Sequence, residues 1–321
     1  MSELKIYNFM GLRRVAVIFS AVLLLVSTVS LFSQGLVLGL DFSGGTQIEV
    51  GYKQPVKVAD VRGQLENAGF ENPVVLHFGS ESEVLIRMQG EPDQGLAERI
   101  YSVLVANGEE LDLRRVDFVG PQIGEELRDK GGLGMLIALV VVMLYVAIRF
   151  QFKFSVGAVL ALVHDVLITL GIFSITRLEF DLTVLAAILA VVGYSLNDTI
   201  VVSDRIRENF RKIRKATAVE VINESLSQTL WRTINTSMTT MLVLLALFLF
   251  GGELIHNFAI ALMIGVGIGT YSSIYVAATV MLAMNVDRED LIEPEEGRVV
   301  CLIDYAQQEP AILAAFSGED A

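Results

Sequence analysis

The stretch GYSLNDTIVVSDRIREN, residues 193–209, reads as the end of a membrane-spanning helix running into a charged loop, with Asn197 and Asp198 set five to six residues inside that end. The apolar run that leads into it, residues 182–203, is long enough to cross a hydrocarbon core ~30 Å thick, which takes ~20 residues. A carboxylate at such a position costs ~2.5–3.5 kcal/mol on insertion scales, and intramembrane acids face a bundle interior or water and mark ion pathways. The bland alternative is a polar helix end, since Asp198 precedes Ser203 by only five residues. The pathway reading is the one favoured for an acid inside a span.

Five further runs of the same kind flank this one, at about 15–33, 133–150, 155–176, 233–250 and 257–284. With 53% hydrophobic residues and a mean hydropathy of +0.57, the 321-residue chain is a membrane protein by composition. Six spans put both termini on one side, and the side follows from Lys and Arg in the short connections. Lys5, Arg13 and Arg14 precede the first span, Arg149 and Lys153 sit between the second and third, and residues 204–232 carry Arg205, Arg207, Arg211, Lys212, Arg214, Lys215 and Arg232. The opposite connections hold Arg177 alone. Both termini are therefore expected in the cytoplasm and residues 34–131 outside. No small-x-small cleavage site follows the first span, which reads as an uncleaved anchor.

Residues 34–131 alternate as strand GTQIEV, helix VADVRGQLENAGF, strand PVVLHFG, strand EVLIRMQ, helix GLAERIYSVLVAN and strand LRRVDFVG. That order predicts an α+β ferredoxin-like (β-α-β-β-α-β) periplasmic domain between the first and second spans of a six-helix bundle. The expected division is 1–33 for the cytoplasmic N-terminus and first span, 34–131 for the outer domain, 132–284 for spans two to six, and 285–321 for an acidic cytoplasmic tail. In LDFSGGTQ, Asp41, Gly44 and Gly45 form the entry junction. The glycines there supply the dihedrals of a span-to-strand corner. With the glycines of GPQIGEELRDKGG on exit, they would let the domain tilt as a hinged unit.

The net charge of −13 is concentrated in two places, residues 34–131 with 17 acids and 9 bases and residues 287–321 with 10 acids and 2 bases. Such a balance disfavours nucleic acid as a partner. The lone Cys301 lies in the tail, so the outer domain has no disulfide or thiolate metal cluster. Phosphate-cradling G-x-x-x-x-G-K, H-E-x-x-H and G-x-S-x-G signatures are missing. The chain reads as a non-enzyme without metal or cofactor, driven by an ion gradient or a partner.

Arg232 opens the fifth span, RTINTSMTTMLVLLALFLF, whose first half holds Thr233, Asn235, Thr236, Ser237, Thr239 and Thr240. At 1.5 Å per residue Asp198 lies ~7 Å above the cytoplasmic end of its helix, within reach of a snorkelling arginine. Arg205 ranks second as a partner. Tyr194 and Ser195, one turn before Asp198, share its face. On the third span, His164 and Asp165 read equally as a proton relay or as a hydrogen-bonded pair that joins helices. His77 and His256 read as surface or packing residues. In GVGIGTYSS, Gly265 and Gly269 are spaced for close helix packing.

Taken together, LGLDFSGGTQIEV, VGPQIGEEL, ALVHDVLITLG, VVGYSLNDTIVVSDRIREN, RTINTSMTT and GTYSSIYVA resemble the SecD/SecF family of bacterial protein-export membrane proteins, within the resistance-nodulation-division superfamily, in its smaller member. The resemblance runs from the first span to about residue 284. It implies a multi-pass subunit of the bacterial inner membrane that pairs with SecD, associates with the SecYEG translocon and YajC, and uses the proton-motive force to pull a translocating preprotein outward after the ATP-driven stage. Residue by residue, the family's proton-path acid falls on Asp198 and its functional arginine on Arg232. The competing readings are a half-size exporter of lipid or small molecules from the same superfamily, and a purely structural translocase subunit.

Overall fold

The computed structural model describes residues 5–90, 95–106, 110–149, 152–213 and 215–286. The acidic tail from residue 287, with Cys301, lies outside the described residues.

Six helices are long and apolar enough to cross a membrane: α1 (Arg13–Ser33), α5 (Pro121–Arg149), α6 (Phe152–Thr176), α7 (Leu182–Lys212), α8 (Ala218–Phe250) and α9 (Glu253–Ala283). Helices α6, α7 and α9 form the middle of the bundle. Close approach there depends on small residues: a Cβ on Gly265 of α9 would strike Val191 of α7, and one on Gly269 would meet the Cβ of Ser195 at 3.1 Å. The glycine pair thus packs α9 on α7, as its spacing predicted.

Between α1 and α5 come β1 (Val37–Leu38), α2 (Leu40–Ser43), β2 (Gly45–Tyr52), α3 (Val58–Asn67), β3 (Val74–Phe78), β4 (Ser80–Gln89), α4 (Leu96–Ala106) and β5 (Leu111–Val119). The sheet runs β3-β4-β2-β5 with every neighbour antiparallel, which is the ferredoxin-like order expected from the sequence. Alternation explains it: Ile48 and Val50 point inward onto Val61, Leu65, Ile100 and Leu104 of α3 and α4. Fully burying each aliphatic side chain contributes ~1.5–3 kcal/mol, enough to hold a domain without disulfides. Helix α3 stops where Gly69, at φ +87°, lets Phe70 N donate to Leu65 O at 3.1 Å and its own N to Glu66 O at 3.0 Å.

Two stretches expected as connections are helical. Residues 204–232 are not a loop: α7 runs on to Lys212 and α8 begins at Ala218. Glu208 pairs with Arg205 and Lys212 along α7, and Thr217 with Glu220 forms a capping box that starts α8. The exit segment expected as a glycine junction is likewise the start of α5. The domain's last strand ends at Val119, so the expected boundary at 131 falls inside that helix. Proline at the first helical position is preorganised for this start.

The short β6 (Glu179–Phe180), just before α7, pairs in parallel with β1. Phe42 of α2 stacks on Phe180, with ring centroids 5.9 Å apart. Gly124 of α5 lies against α2, where a Cβ would meet Gly44 N at 3.0 Å. Entry to and exit from the α+β domain are therefore pinned side by side over the start of α7.

Candidate functional site

Asp198 sits on the buried face of α7 and is 2% exposed. Its Oδ2 is buried without a hydrogen-bond partner, as are Tyr194 Oη, Thr199 Oγ1 and, on α8, Thr233 Oγ1. Buried polar atoms are nearly always paired, so four unpaired ones on two facing helices set this region apart. A carboxylate oxygen with nothing bound to it can take a proton without first breaking a hydrogen bond. Tyr194 shares the helix face of Asp198 but does not bond to it.

Arg232, on α8, is exposed on the surface of the chain. It borders a cavity of about 310 Å³ with Val201, Asp204, Arg205, Glu208 and Gln228, and lies within Coulombic reach of Asp198. The two form no ion pair among the described residues. Arg205, the second-ranked partner, is bonded instead to Glu208 at 2.8 Å. Asn197 lies on the exposed side of α7, as Asn235 and Thr239 do on α8.

A second buried cluster lies one turn away and takes Ser195 from the face assigned to Asp198. Asp165, 0% exposed, accepts at Oδ2 from Ser195 Oγ at 2.5 Å and from Ser272 Oγ at 2.7 Å, while Oδ1 meets His164 Nδ1 at 2.8 Å. His164 Nε2 lies 3.2 Å from Ser20 Oγ, which lies 3.0 Å from Tyr271 Oη, and that hydroxyl donates to Ala16 O at 2.8 Å. One carboxylate thus ties α6 to α7 and α9, and its histidine reaches α1. Sequence reasoning found His164 and Asp165 but missed Ser20, Ser272 and Tyr271. Ser20 is a single hydroxyl in an apolar stretch of α1, while Tyr271 and Ser272 lie in the run TYSS, which does not itself say which hydroxyl faces Asp165.

At the other end of α7, Asp41 Oδ2 accepts from Leu182 N at 3.1 Å, and the N-cap Asp181 accepts from Val184 N at 2.9 Å. Two carboxylates on one helix start satisfy free N–H groups and complement the positive end of the helix dipole. Gly44 and Gly45 take φ values of +73° and +148°, the corner geometry expected of them. A side chain on Gly45 would also strike the Met88 carbonyl oxygen. Among the described residues no group of three or more His, Cys, Asp or Glu could hold a metal ion.

Residues 100–287 match the family described as protein export membrane protein SecD/SecF, C-terminal, and residues 29–56 match the SecD/SecF GG motif, which spans Gly44 and Gly45. The chain is 53% identical over 290 residues to the protein translocase subunit SecF of Pseudomonas aeruginosa, covering 90% of this chain and 94% of that protein. To the SecF of Vibrio alginolyticus it is 46% identical over 295 residues, covering 91% and 94%. Among solved structures it is similar to SecDF from Thermus thermophilus, a translocon-associated membrane protein. The TM-score is 0.77 at 38% identity, over 89% of this chain and 40% of that one. The chain thus spans well under half of the solved SecDF polypeptide.

Proposed function

Because the chain belongs to the SecD/SecF family of protein-export membrane proteins, as a SecF subunit of the Sec translocase, we propose that it converts the proton-motive force into movement of its α+β domain during the late stage of preprotein export. The observation that carries this reading is Asp198, an almost fully buried acid with an unengaged oxygen inside a membrane helix. Protonation removes its charge, and with it both the desolvation cost and the attraction to Arg232. Helix packing then has two preferred arrangements, and the proton gradient biases one over the other. One charge crossing 100 mV supplies ~2.3 kcal/mol.

In this reading the Lys- and Arg-rich end of the bundle, with both termini, is cytoplasmic and the α+β domain is periplasmic. SecD is the first partner. Asn197, Arg232, Asn235 and Thr239 would otherwise place polar groups against lipid, which membrane helices avoid, and together they offer SecD a polar face. SecYEG, YajC and the preprotein complete the assembly. The exporter alternative is disfavoured by the match to nearly the full length of SecF subunits.

The test is Asp198→Asn, which keeps size but cannot cycle a proton. In inverted vesicles after ATP removal, it should abolish the stimulation of translocation by a proton gradient while expression and partner association stay near normal. A wild-type response would make Asp198 structural and favour the structural-subunit reading.

A further inference from the structure

Besides its pinned entry and exit, the α+β domain meets the membrane bundle through a mostly buried ion pair that the proton pathway does not use. Arg87 lies on β4, in register with Gln47 of β2 and Val74 of β3. Its neighbour Ile86 packs into the domain core, so Arg87 points from the sheet face opposite α3 and α4. Its Nη1 donates to Glu179 Oε2 at 3.1 Å and its Nε to Gln47 Oε1 at 3.1 Å, a fork held from both sides. The two charged side chains are 13% and 17% exposed.

Glu179 is held in turn by the bundle. It belongs to β6, two residues before the N-cap of α7, and its carbonyl oxygen accepts from Asn257 Nδ2 of α9 at 3.1 Å. Gly39 leaves room for it, since a Cβ there would meet Glu179 Oε1 at 3.2 Å and Asp181 Cβ at 2.9 Å. A second polar contact runs parallel, with Gln89 of β4 donating to Leu38 O of β1 at 3.1 Å.

We propose that Arg87 is a positioning residue that fixes the α+β domain to the start of α7, so that displacement of α7 carries the domain with it as one body. The inference rests on the proposed movement of α7, and deepens it by naming the joint. Arg87 takes no part in the domain's hydrophobic core, so the domain folds without it. Its ion pair joins two elements 92 positions apart in the chain. The entry segment at residues 38–45 and the exit after Gly120 are held against β6, α7 and each other, and the ion pair adds the contact made by the sheet itself.

The experiment uses the full chain with SecD in proteoliposomes, in a Cys301→Ser background, with spin labels at exposed Ser102 on α4 and Thr176 at the end of α6. Arg87→Glu sets a second carboxylate against Glu179 and should shift the docked-to-undocked ratio about tenfold. The wild type's narrow distance distribution becomes broad, and gradient-stimulated translocation falls by a similar factor. Reversing the pair, Arg87→Glu with Glu179→Arg, should restore both the narrow distribution and most of the translocation. Three results overturn the proposal: an unchanged distribution in Arg87→Glu, a broadened one with wild-type translocation, or a reversed pair no better than the single variant. The distance needs no gradient, so it decides the joint even if Asp198→Asn vesicles respond like the wild type and the proton reading fails.

Discussion

Removing Asp165 tests whether its cluster is a knot that holds four helices or a path for protons. Asp165→Ala leaves the hydroxyls of Ser195 and Ser272 and the ring of His164 without their shared acceptor, in a site that is 0% exposed. Each buried donor left without its acceptor costs ~1–3 kcal/mol. A single interhelical hydrogen bond in a membrane averages only ~0.6 kcal/mol and reaches ~1.7. Ser195→Ala and Ser272→Ala should therefore each lose about 0.6 kcal/mol, and Asp165→Ala several times more. Denaturant titration of the purified complex in mild detergent measures all three. Asp165→Asn keeps an acceptor for the serines, and should stay folded and keep its response to a proton gradient. If Asp165→Ala cost no more than Ser195→Ala, the cluster would not be the knot described. If Asp165→Asn were stable but blind to the gradient, protons would pass through it.

Labelling introduced cysteines from each side should find position 211 accessible from the cytoplasm and position 81 from outside, and the reverse pattern would overturn the topology. Arg232→Ala should inactivate gradient-stimulated translocation and Arg232→Lys retain part of it, because lysine keeps the charge without the planar fork; full activity in Arg232→Ala would remove the arginine from the pathway. At the joint, burial first, then Asp181 and Asp41, hold the Glu179 carboxyl above its ordinary 4.5, with Arg87 pulling it back. The folded chain therefore binds this proton more readily than the unfolded one, so the carboxyl's contribution to folding stability is full below pH 4.5 and is lost as pH rises through the raised value. The denaturant midpoint of the purified complex should carry this pH dependence, and Glu179→Gln should abolish it.

Apolar length and period revealed most of this architecture. Alternation in GTQIEV placed Ile48 and Val50 in the domain core, and six apolar runs located the spans. Helix ends were harder, because Arg205, Glu208 and Lys212 read as a charged loop when they are paired along a helix that outruns the bilayer. The site divided in the same way. Asp198 announced itself, since a carboxylate in hydrocarbon is costly wherever it points. Ser195 did not reveal its partner, because Asp165 and Asp198 both lie near and the choice depends on how α6 and α9 pack around α7. Nothing local in the sequence marks Arg87 and Glu179 as partners, since they lie 92 positions apart.

Helix α7 is a single piece from Leu182 to Lys212, about 45 Å from first to last residue at ~1.5 Å per residue. Asp198 divides it into arms of roughly 24 Å and 21 Å. A rod pivoting near its midpoint is a rocker. In the proposed reading, a tilt at the acid would swing the end gripped by Asp41 and Asp181 one way and the end bearing Arg211 and Lys212 the other, by nearly equal amounts. One protonation event would then be reported simultaneously, and with opposite sign, to the two faces of the membrane.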